Sequence, residues 1–332
     1  MVSLYVTSVE EGAGKTTICA GLGKYLLGGG KKVGFLKLVI ASGEQPAEGS
    51  DRDARFMKQI LGLDEPVESL CPLIDDRNKM VAQVQEAHTR VSSGKDVVII
   101  EGIYEPSLIQ GLDAKVIAVE GYSNQSAGIK YSDDYQASGK RLLGIVLNKA
   151  PGNKLELVRN AIATQLKGTG IGILGVLPED RTLFSPSIGE LADYIQGEIL
   201  NSAEQSAELV ENFLLGVMTV DSGPEYFGRK NNKAVVVRGD RPDMQIAALE
   251  TATRCLVLCG NTPPTEAIRY RAETKKVPLI LTKGDVATTM GSIEDALDRG
   301  RFNQEKKLSR LAGFMEQHFD FEAVSKGLGL AG

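Results

Sequence analysis

The chain has 332 residues, of which 42% are hydrophobic and 24% charged, and its net charge is −5. This length predicts two domains, and the composition is that of a folded soluble protein. The small, evenly spread negative charge argues against nucleic acid or an acidic membrane as a partner. No apolar run reaches the roughly 18 residues of a membrane-spanning helix, so we expect no membrane partner.

The cysteines and histidines predict neither a metal site nor a nucleophile. Cys255 and Cys259 bracket Leu256–Leu258 in a predicted strand, which would hold their α-carbons roughly 13 Å apart, too far to share a metal or a disulfide. We expect the thiols to be buried and reduced, as in a cytoplasmic protein. His88 and His318 lie in polar helical stretches and are expected at the solvated surface, which gives nucleophile–histidine catalysis little support.

Short β-branched runs alternate with amphipathic helical stretches over residues 1–200. This alternation predicts an α/β fold with a mostly parallel sheet covered on both faces, and ligands at the carboxyl ends of its strands. The predicted strands are Leu4–Thr7, Val33–Lys37, Val97–Glu101, Val116–Val119, Leu143–Leu147 and Gly172–Leu177. The predicted helices are Thr16–Leu27, Asp53–Leu61, Lys79–Ser92, Asn124–Ser138, Lys154–Lys167 and Ile188–Gly197.

A second, smaller α/β pattern follows the polar stretch Asn201–Glu208, which is the predicted connector. We therefore expect separately folding domains at residues 1–200 and 209–302, followed by a terminal helix and tail at 303–332. The predicted elements of the second domain are the strands Val217–Val220, Ala234–Val237, Cys255–Leu258 and Leu279–Leu281, and the helices Met244–Thr253, Pro264–Lys275 and Ser292–Arg299.

The segment Thr7–Thr17 joins the first predicted strand to the first predicted helix and has the form of a P-loop. Its core, Gly12-Ala13-Gly14-Lys15-Thr16-Thr17, lets the backbone N–H groups and the helix start surround a phosphate. Lys15 would contact the terminal phosphates, and Thr16 would give its hydroxyl to Mg²⁺. Val9 stands in place of the first glycine of the motif, and the alternative is a glycine turn that caps a helix.

P-loop sites need a second carboxylate directed at the metal from a neighbouring strand end. Glu101 closes a predicted buried strand and is our first candidate, the alternative being a generic strand-end acid. Asp51 and Asp53 are a second source of metal ligands, or equally helix N-caps. Lys37 ends the second strand, where it would hold a terminal phosphate or an anionic substrate, unless it is merely exposed. Thr16, Asp53 and Glu101 are thus the predicted metal ligands.

These motifs together resemble dethiobiotin synthetase and its amidoligase relatives. The resemblance implies a P-loop NTPase-like parallel sheet, ATP and Mg²⁺ as cofactors, and base-side contacts from Asn148 and Pro178. The residues after Glu101-Gly102 depart from that family, which has further glycines there. The segments that carry the resemblance are Gly12–Thr17, Gly34–Lys37, Asp51 with Asp53, Val98–Gly102, Leu143–Lys149 and Leu174–Asp180.

The second domain resembles a DRTGG domain, whose opening corresponds to Val235–Gln245. Cys255–Leu258, Asn261–Pro264 and Val277–Ile280 resemble its later strands. A dethiobiotin synthetase-like domain followed by a DRTGG domain is the N-terminal, regulatory arrangement of long phosphotransacetylases. The chain stops at Gly332, before their acetyltransferase domain, so we expect a stand-alone version of this regulatory region.

Three functions are compatible with this sequence. The first is a Mg·ATP-binding regulatory or sensor protein. The second is an ATP-dependent carboxylate ligase or amidoligase of the dethiobiotin synthetase or cobyrinic acid a,c-diamide synthase type, in which Lys15 and Lys37 would act catalytically. The third is a slow ATPase switch with a protein partner, although Glu10 stands where partitioning ATPases carry their signature lysine.

In the second domain, two loops are predicted to follow neighbouring strands. Arg238-Gly239-Asp240-Arg241 would bring two arginines towards an anion, with Gly260-Asn261-Thr262-Pro263 beside it. We expect a small-molecule effector there, an adenine nucleotide or an acidic metabolite. The alternative is a packing domain that makes the homo-oligomer, which we expect to be a dimer.

Overall fold

The computed structural model describes residues 1–40, 52–123, 128–130, 132–217, 223–298, 302 and 304–330. In the described part of the chain, strands and helices alternate as the sequence predicts. The strands are β1 Val2–Ser8, β2 Val33–Lys37, β3 Val39–Ile40, β4 Leu73–Ile74, β5 Val97–Ile103, β6 Lys115–Gly121, β7 Leu142–Ala150, β8 Ile173–Pro178, β9 Glu198–Ile199, β10 Asn212–Leu215, β11 Lys233–Arg238, β12 Thr253–Cys259 and β13 Leu279–Leu281.

The helices of the same ranges vary from one turn to nearly four. They are α1 Lys15–Gly28, α2 Arg52–Leu61, α3 Val67–Leu70, α4 Met80–Ser92, α5 Pro106–Gly111, α6 Ser132–Gln136, α7 Leu155–Gln165, α8 Arg181–Phe184, α9 Ile188–Tyr194, α10 Gly223–Gly228, α11 Pro242–Leu249, α12 Glu266–Thr274, α13 Val286–Asp298, α14 Leu308–His318 and α15 Phe321–Gly327. Within these ranges, no helix combines the length and apolar character needed to cross a bilayer.

The first sheet has six parallel strands in the order β2-β5-β1-β6-β7-β8. Its central strands are continuous apolar runs because helices cover both faces. In β5, Val97–Ile100 are fully buried, and in β1 Leu4–Val6 are fully buried. The predicted α/β fold class is therefore confirmed, and the order places the P-loop strand β1 between β5 and β6.

The second sheet has the order β10-β11-β12-β13-β9, in which only β9 is antiparallel among the described strands. The predicted strand Val217–Val220 is wrong at Val217, which lies outside β10 and is exposed, while residues 218–220 lie outside the described ranges. The observed strand, Asn212–Leu215, begins with a polar residue, so its apolar run is too short to stand out.

The division into units differs from the predicted domain boundaries. One unit comprises Met1–Asp180 with Phe302–Gly332, and the other comprises Arg181–Arg301. The predicted connector Asn201–Glu208 belongs to the second unit, where the Asn201 side chain accepts a hydrogen bond from Leu279 N (2.8 Å) and donates one to Val277 O (3.1 Å). Asn201 thus hydrogen-bonds backbone groups at and next to the strand β13. Composition alone does not show whether a polar residue makes such bonds or is exposed to solvent.

The C-terminal segment packs within the first unit and is not a separate terminal element. It contains two helices, with a break at Phe319 and with Asp320 capping α15 by accepting a hydrogen bond from Ala323 N (2.8 Å). The ring of Phe321 stacks on Tyr25 of α1 at 4.0 Å between centroids. A Cβ at Gly21 of α1 would lie 1.9 Å from Met315 Sδ, so glycine permits this close helix contact.

None of the four cysteines forms a disulfide with a described residue; Cys19, Cys255 and Cys259 are buried as predicted, and Cys71 is half-buried. The prediction for His88 was wrong. Its ring is 9% exposed, and Nε2 lies 3.0 Å from Ser3 Oγ. His88 lies among polar residues in the sequence, but it is on the side of α4 that faces β1. The neighbouring residues in the sequence do not reveal this orientation.

Burial lowers the pKa of His88 below its ordinary value of 6.5. Around and below pH 6.5 this residue therefore binds more protons in the unfolded chain than in the folded one, so its contribution to stability falls as the pH falls. Urea unfolding at pH 7 and pH 5 should show that His88→Gln loses less free energy of unfolding than the wild type over this interval. His318→Gln is the control and should follow the wild type; equal pH dependence in all three proteins would contradict this role.

Candidate functional site

The P-loop connects β1 to α1 and ends at the N-terminus of that helix. Gly12 and Gly14 have φ of +70° and +97°, left-handed values that glycine adopts without strain. The first turn of α1 has neither an acidic residue nor a side-chain cap, so its N–H groups are available to an anion. Val9, which stands in place of the first glycine of the motif, is 43% exposed, so its side chain does not fill the interior of the loop.

Asn148 of β7 lies against the loop. Its Nδ2 donates a hydrogen bond to Ala13 O (3.0 Å), and its Oδ1 accepts one from Lys149 N (2.9 Å). A Cβ at Gly14 would lie 2.1 Å from Asn148 Nδ2, so this position needs glycine for space as well as for φ. Pro178 ends the adjacent strand β8, paired with Ala150, and is half-buried.

Four of the predicted residues meet at the carboxyl ends of β2 and β5. Thr16 Oγ1 donates a hydrogen bond to Glu101 Oε1 (2.8 Å). Lys37 Nζ lies 3.5 Å from the same oxygen and forms a close ion pair with Asp53 in α2. The register explains this, because Lys37 pairs with Glu101, and Glu101 pairs with Val6 just before the P-loop. Asp51, the other predicted acid, lies outside the described residues.

Burial dominates the electrostatics of this cluster. Glu101 is 4% exposed, and burial raises its pKa, which Lys37 opposes and Asp53 reinforces. Burial lowers the pKa of Lys15, and the Glu101 carboxylate counteracts this. Thr17 is buried in the same turn of α1. A low-dielectric site of this kind strengthens every charge interaction with a bound phosphate.

The residues present fit a magnesium ion. Glu101 Oε2 is buried and has no hydrogen-bond partner among the described residues. With the Thr16 hydroxyl and the Asp53 carboxylate nearby, the donor set consists of oxygen atoms, as Mg²⁺ prefers. Mg²⁺ commonly takes one or two protein ligands and completes its octahedron with water and phosphate. This set therefore suits a nucleotide-bound metal better than a closed protein cage.

Two residues that the sequence did not single out hold the other side of the loop. Tyr135 is fully buried, and its hydroxyl accepts a hydrogen bond from Val9 N (3.4 Å). Lys130 Nζ forms an ion pair with Glu10 Oε1 at 3.1 Å. Both partners are more than a hundred residues away along the chain, and no local pattern marks such pairs.

The residues directly after Glu101 pack against Tyr5 of β1. Tyr5 donates a hydrogen bond to Ile103 O (2.9 Å), and a Cβ at Gly102 would lie 2.3 Å from that hydroxyl. Glu105 then caps α5 by accepting a hydrogen bond from Ser107 N (3.2 Å). Where the related synthetase has further glycines, this chain has a half-exposed isoleucine and the start of a helix.

The second unit contains a cavity of about 400 Å³ at the carboxyl ends of β11, β12 and β13. The two loops predicted to be neighbours do touch, since a Cβ at Gly239 would lie 2.3 Å from Thr262 O. The lining residues are Arg238, Asp240, Cys259, Gly260, Thr262, Asp285, Val286 and Ala287.

The two arginines do not converge there as predicted. Arg238 lines the cavity but is paired with Asp240, through Nε at 2.9 Å. Arg241 is instead bonded to Asp243, with Nε 2.9 Å from Oδ1. Each aspartate is two residues after its arginine, and this local pairing neutralises charges that the sequence pattern seemed to offer to a ligand.

Two family models match the chain. One described as an AAA domain matches residues 2–187, and one described as a DRTGG domain matches residues 190–296. Phosphate acetyltransferase of Pseudomonas aeruginosa is 24% identical, and that of Nitrosomonas europaea is 25% identical. Each alignment covers 99% of this chain and 52% of the relative, so the chain spans about half the length of these curated relatives.

Solved structures also match parts of this chain. The CBS and DRTGG domains of Clostridium perfringens pyrophosphatase, complexed with diadenosine tetraphosphate, are 17% identical, with 37% of this chain and 53% of that chain covered and a TM-score of 0.32. The MinC:MinD complex of Aquifex aeolicus is 19% identical, with 55% and 84% covered and a TM-score of 0.37. Because the AAA domain model matches more than half of the chain, the protein belongs to that family, as a dethiobiotin synthetase-like P-loop domain followed by a DRTGG domain.

Proposed function

We propose that this protein is a regulatory or sensor protein that binds Mg·ATP in its first unit. The observation that carries the proposal is the cluster of Thr16, Glu101, Lys37 and Asp53 beside an uncapped helix N-terminus. Lys15 and the loop N–H groups would bind the terminal phosphates. Thr16, Glu101 and Asp53 would hold Mg²⁺, directly or through water, and the metal would neutralise phosphate charge.

A regulatory role is favoured over a ligase by the segment after Glu101. A ligase must open this edge of the site to a second substrate, whereas here Tyr5 covers Gly102 and Glu105 starts a capped helix. The relatives agree with this proposal, because they are phosphate acetyltransferases and not ligases. This chain spans about half of their length and would correspond to their regulatory region. The alternative remains an ATP-dependent ligase of the dethiobiotin synthetase type, with Lys37 holding the second substrate.

Replacing Lys15 with alanine should weaken Mg·ATP binding by roughly tenfold to a few hundredfold, because a charge-assisted phosphate contact is lost. Isothermal titration calorimetry at constant salt measures this directly. Lys24→Ala removes an exposed lysine from the same helix and should bind as the wild type does. Equal affinities in wild type and Lys15→Ala would refute the phosphate site.

Phosphate release distinguishes the two functions. A regulator should bind ATP with little turnover whether or not small amines and carboxylic acids are added. A ligase should release phosphate only when its second substrate is present, so stimulation by one such compound would favour the alternative.

Asn148 and Pro178 are proposed to face the base, but Asn148 also supports the loop through Ala13 O. Asn148→Ala should therefore weaken binding of inorganic tripolyphosphate, which has no base, by about threefold to tenfold. Competition against a fluorescent ATP analogue would measure it, with Asn160→Ala on the exposed face of α7 as the control. Unchanged tripolyphosphate affinity with weakened ATP binding would restrict Asn148 to the base.

We further propose that the cavity of the second unit binds a small polar effector, such as an adenine nucleotide or an acidic metabolite. Three loops meet around it and are fixed to one another, with Gly239 N donating to Cys259 O and Gly260 N to Gly284 O, both at 2.9 Å. Its volume lies in the range of small-molecule sites. The expected homodimer stays a prediction that light scattering would check.

The effector site can be tested in the 332-residue chain carrying Lys15→Ala, so that nucleotide binding at the P-loop contributes little to the signal. A compound from a panel of adenine nucleotides and small acids should raise the melting temperature of this protein by a few degrees. Adding Arg238→Ala should abolish the shift, whereas Arg241→Ala should retain it because Arg241 is engaged with Asp243. A shift that survives Arg238→Ala would place the ligand elsewhere.

A further inference from the structure

Lys37 provides the positive charge between the two carboxylates that are proposed to hold the metal. Its Nζ forms an ion pair with Asp53 and lies 3.5 Å from Glu101 Oε1. The side chains of these three residues are 16%, 11% and 5% exposed, so bulk water screens their charges weakly. The ammonium therefore offsets part of the negative charge of two largely buried carboxylates.

We propose that Lys37 is a gate that excludes a free divalent cation from Asp53 and Glu101 until a nucleoside triphosphate arrives. Phosphate oxygens would then bind the ammonium and free the carboxylates for the metal that accompanies the nucleotide. This inference rests on the proposed function and adds an order of binding to it: the metal occupies the site only when the phosphate is bound. In the nucleotide-free protein, the site is held closed by its own lysine.

Charge and geometry support the gate. With Lys37 in place, the three side chains carry a formal charge of −1, and the ammonium repels a second cation at short range, which offsets part of the attraction of the two carboxylates. Without the ammonium the three side chains carry −2, so the Asp53 carboxylate and Glu101 Oε2, which has no hydrogen-bond partner among the described residues, attract a divalent ion more strongly. Lysine suits this role because its charge sits on a flexible four-carbon stem that can move towards a phosphate.

The test measures Mn²⁺ binding to nucleotide-free protein by electron paramagnetic resonance of the unbound ion. Lys37→Met should bind Mn²⁺ roughly tenfold to a hundredfold more tightly than the wild type, because the competing charge is gone. Lys95→Met is the matched control: Lys95 pairs with Glu65 at 3.0 Å, with side chains 17% and 20% exposed, and its loss should leave Mn²⁺ affinity unchanged. Adding Glu101→Gln to Lys37→Met should abolish the gain.

A non-hydrolysable ATP analogue should then raise the Mn²⁺ affinity of the wild type by a larger factor than that of Lys37→Met. If Lys37→Met does not fold, Lys37→Gln keeps a polar side chain without the charge and should show the same gain. An affinity for Mn²⁺ that is unchanged in the charge-free variant, or raised equally by Lys95→Met, overturns the gate alone. Failure of the wild type to bind the analogue overturns the proposed function, whatever the variants do.

Discussion

The burial of one carboxylate, Glu101, constrains the whole nucleotide edge of the first unit. Moving a carboxylate out of water costs several kcal/mol unless it is hydrogen-bonded and paired. The sheet order β2-β5-β1 provides both, because it puts Lys37 on one side of Glu101 and the P-loop with Thr16 on the other. The cluster is thus a consequence of strand order as much as of residue type.

The phosphate loop is also held from its other side. Asn148 bonds Ala13 O, Tyr135 accepts from Val9 N, and Lys130 pairs with Glu10. These contacts come from β7 and from the segment after β6, so two further parts of the chain support this loop. Because the loop is already held in place, less binding free energy is lost in ordering it when a ligand binds.

Local patterns predicted the elements that depend on local physics. The apolar runs of β1 and β5 and the Gly12–Thr17 motif were recognisable because burial and backbone geometry act within a few residues. What depends on distant partners was not predictable: His88 facing Ser3, Tyr135 under the P-loop, and the short antiparallel strand β9. The arginine pairing was missed for another reason, since a sequence does not say whether a charge is already neutralised by its neighbour.

The return of α14 and α15 to the first unit makes that unit discontinuous in the chain. During synthesis, Leu311 and Met315, which are buried in that unit, emerge only after all of Arg181–Arg301. The ribosome therefore delivers the complete second unit while α1, the helix that starts at the phosphate loop, still lacks the surface it packs against. Contacts that distant in sequence form slowly. The first unit can therefore finish folding only after the second unit has been synthesised.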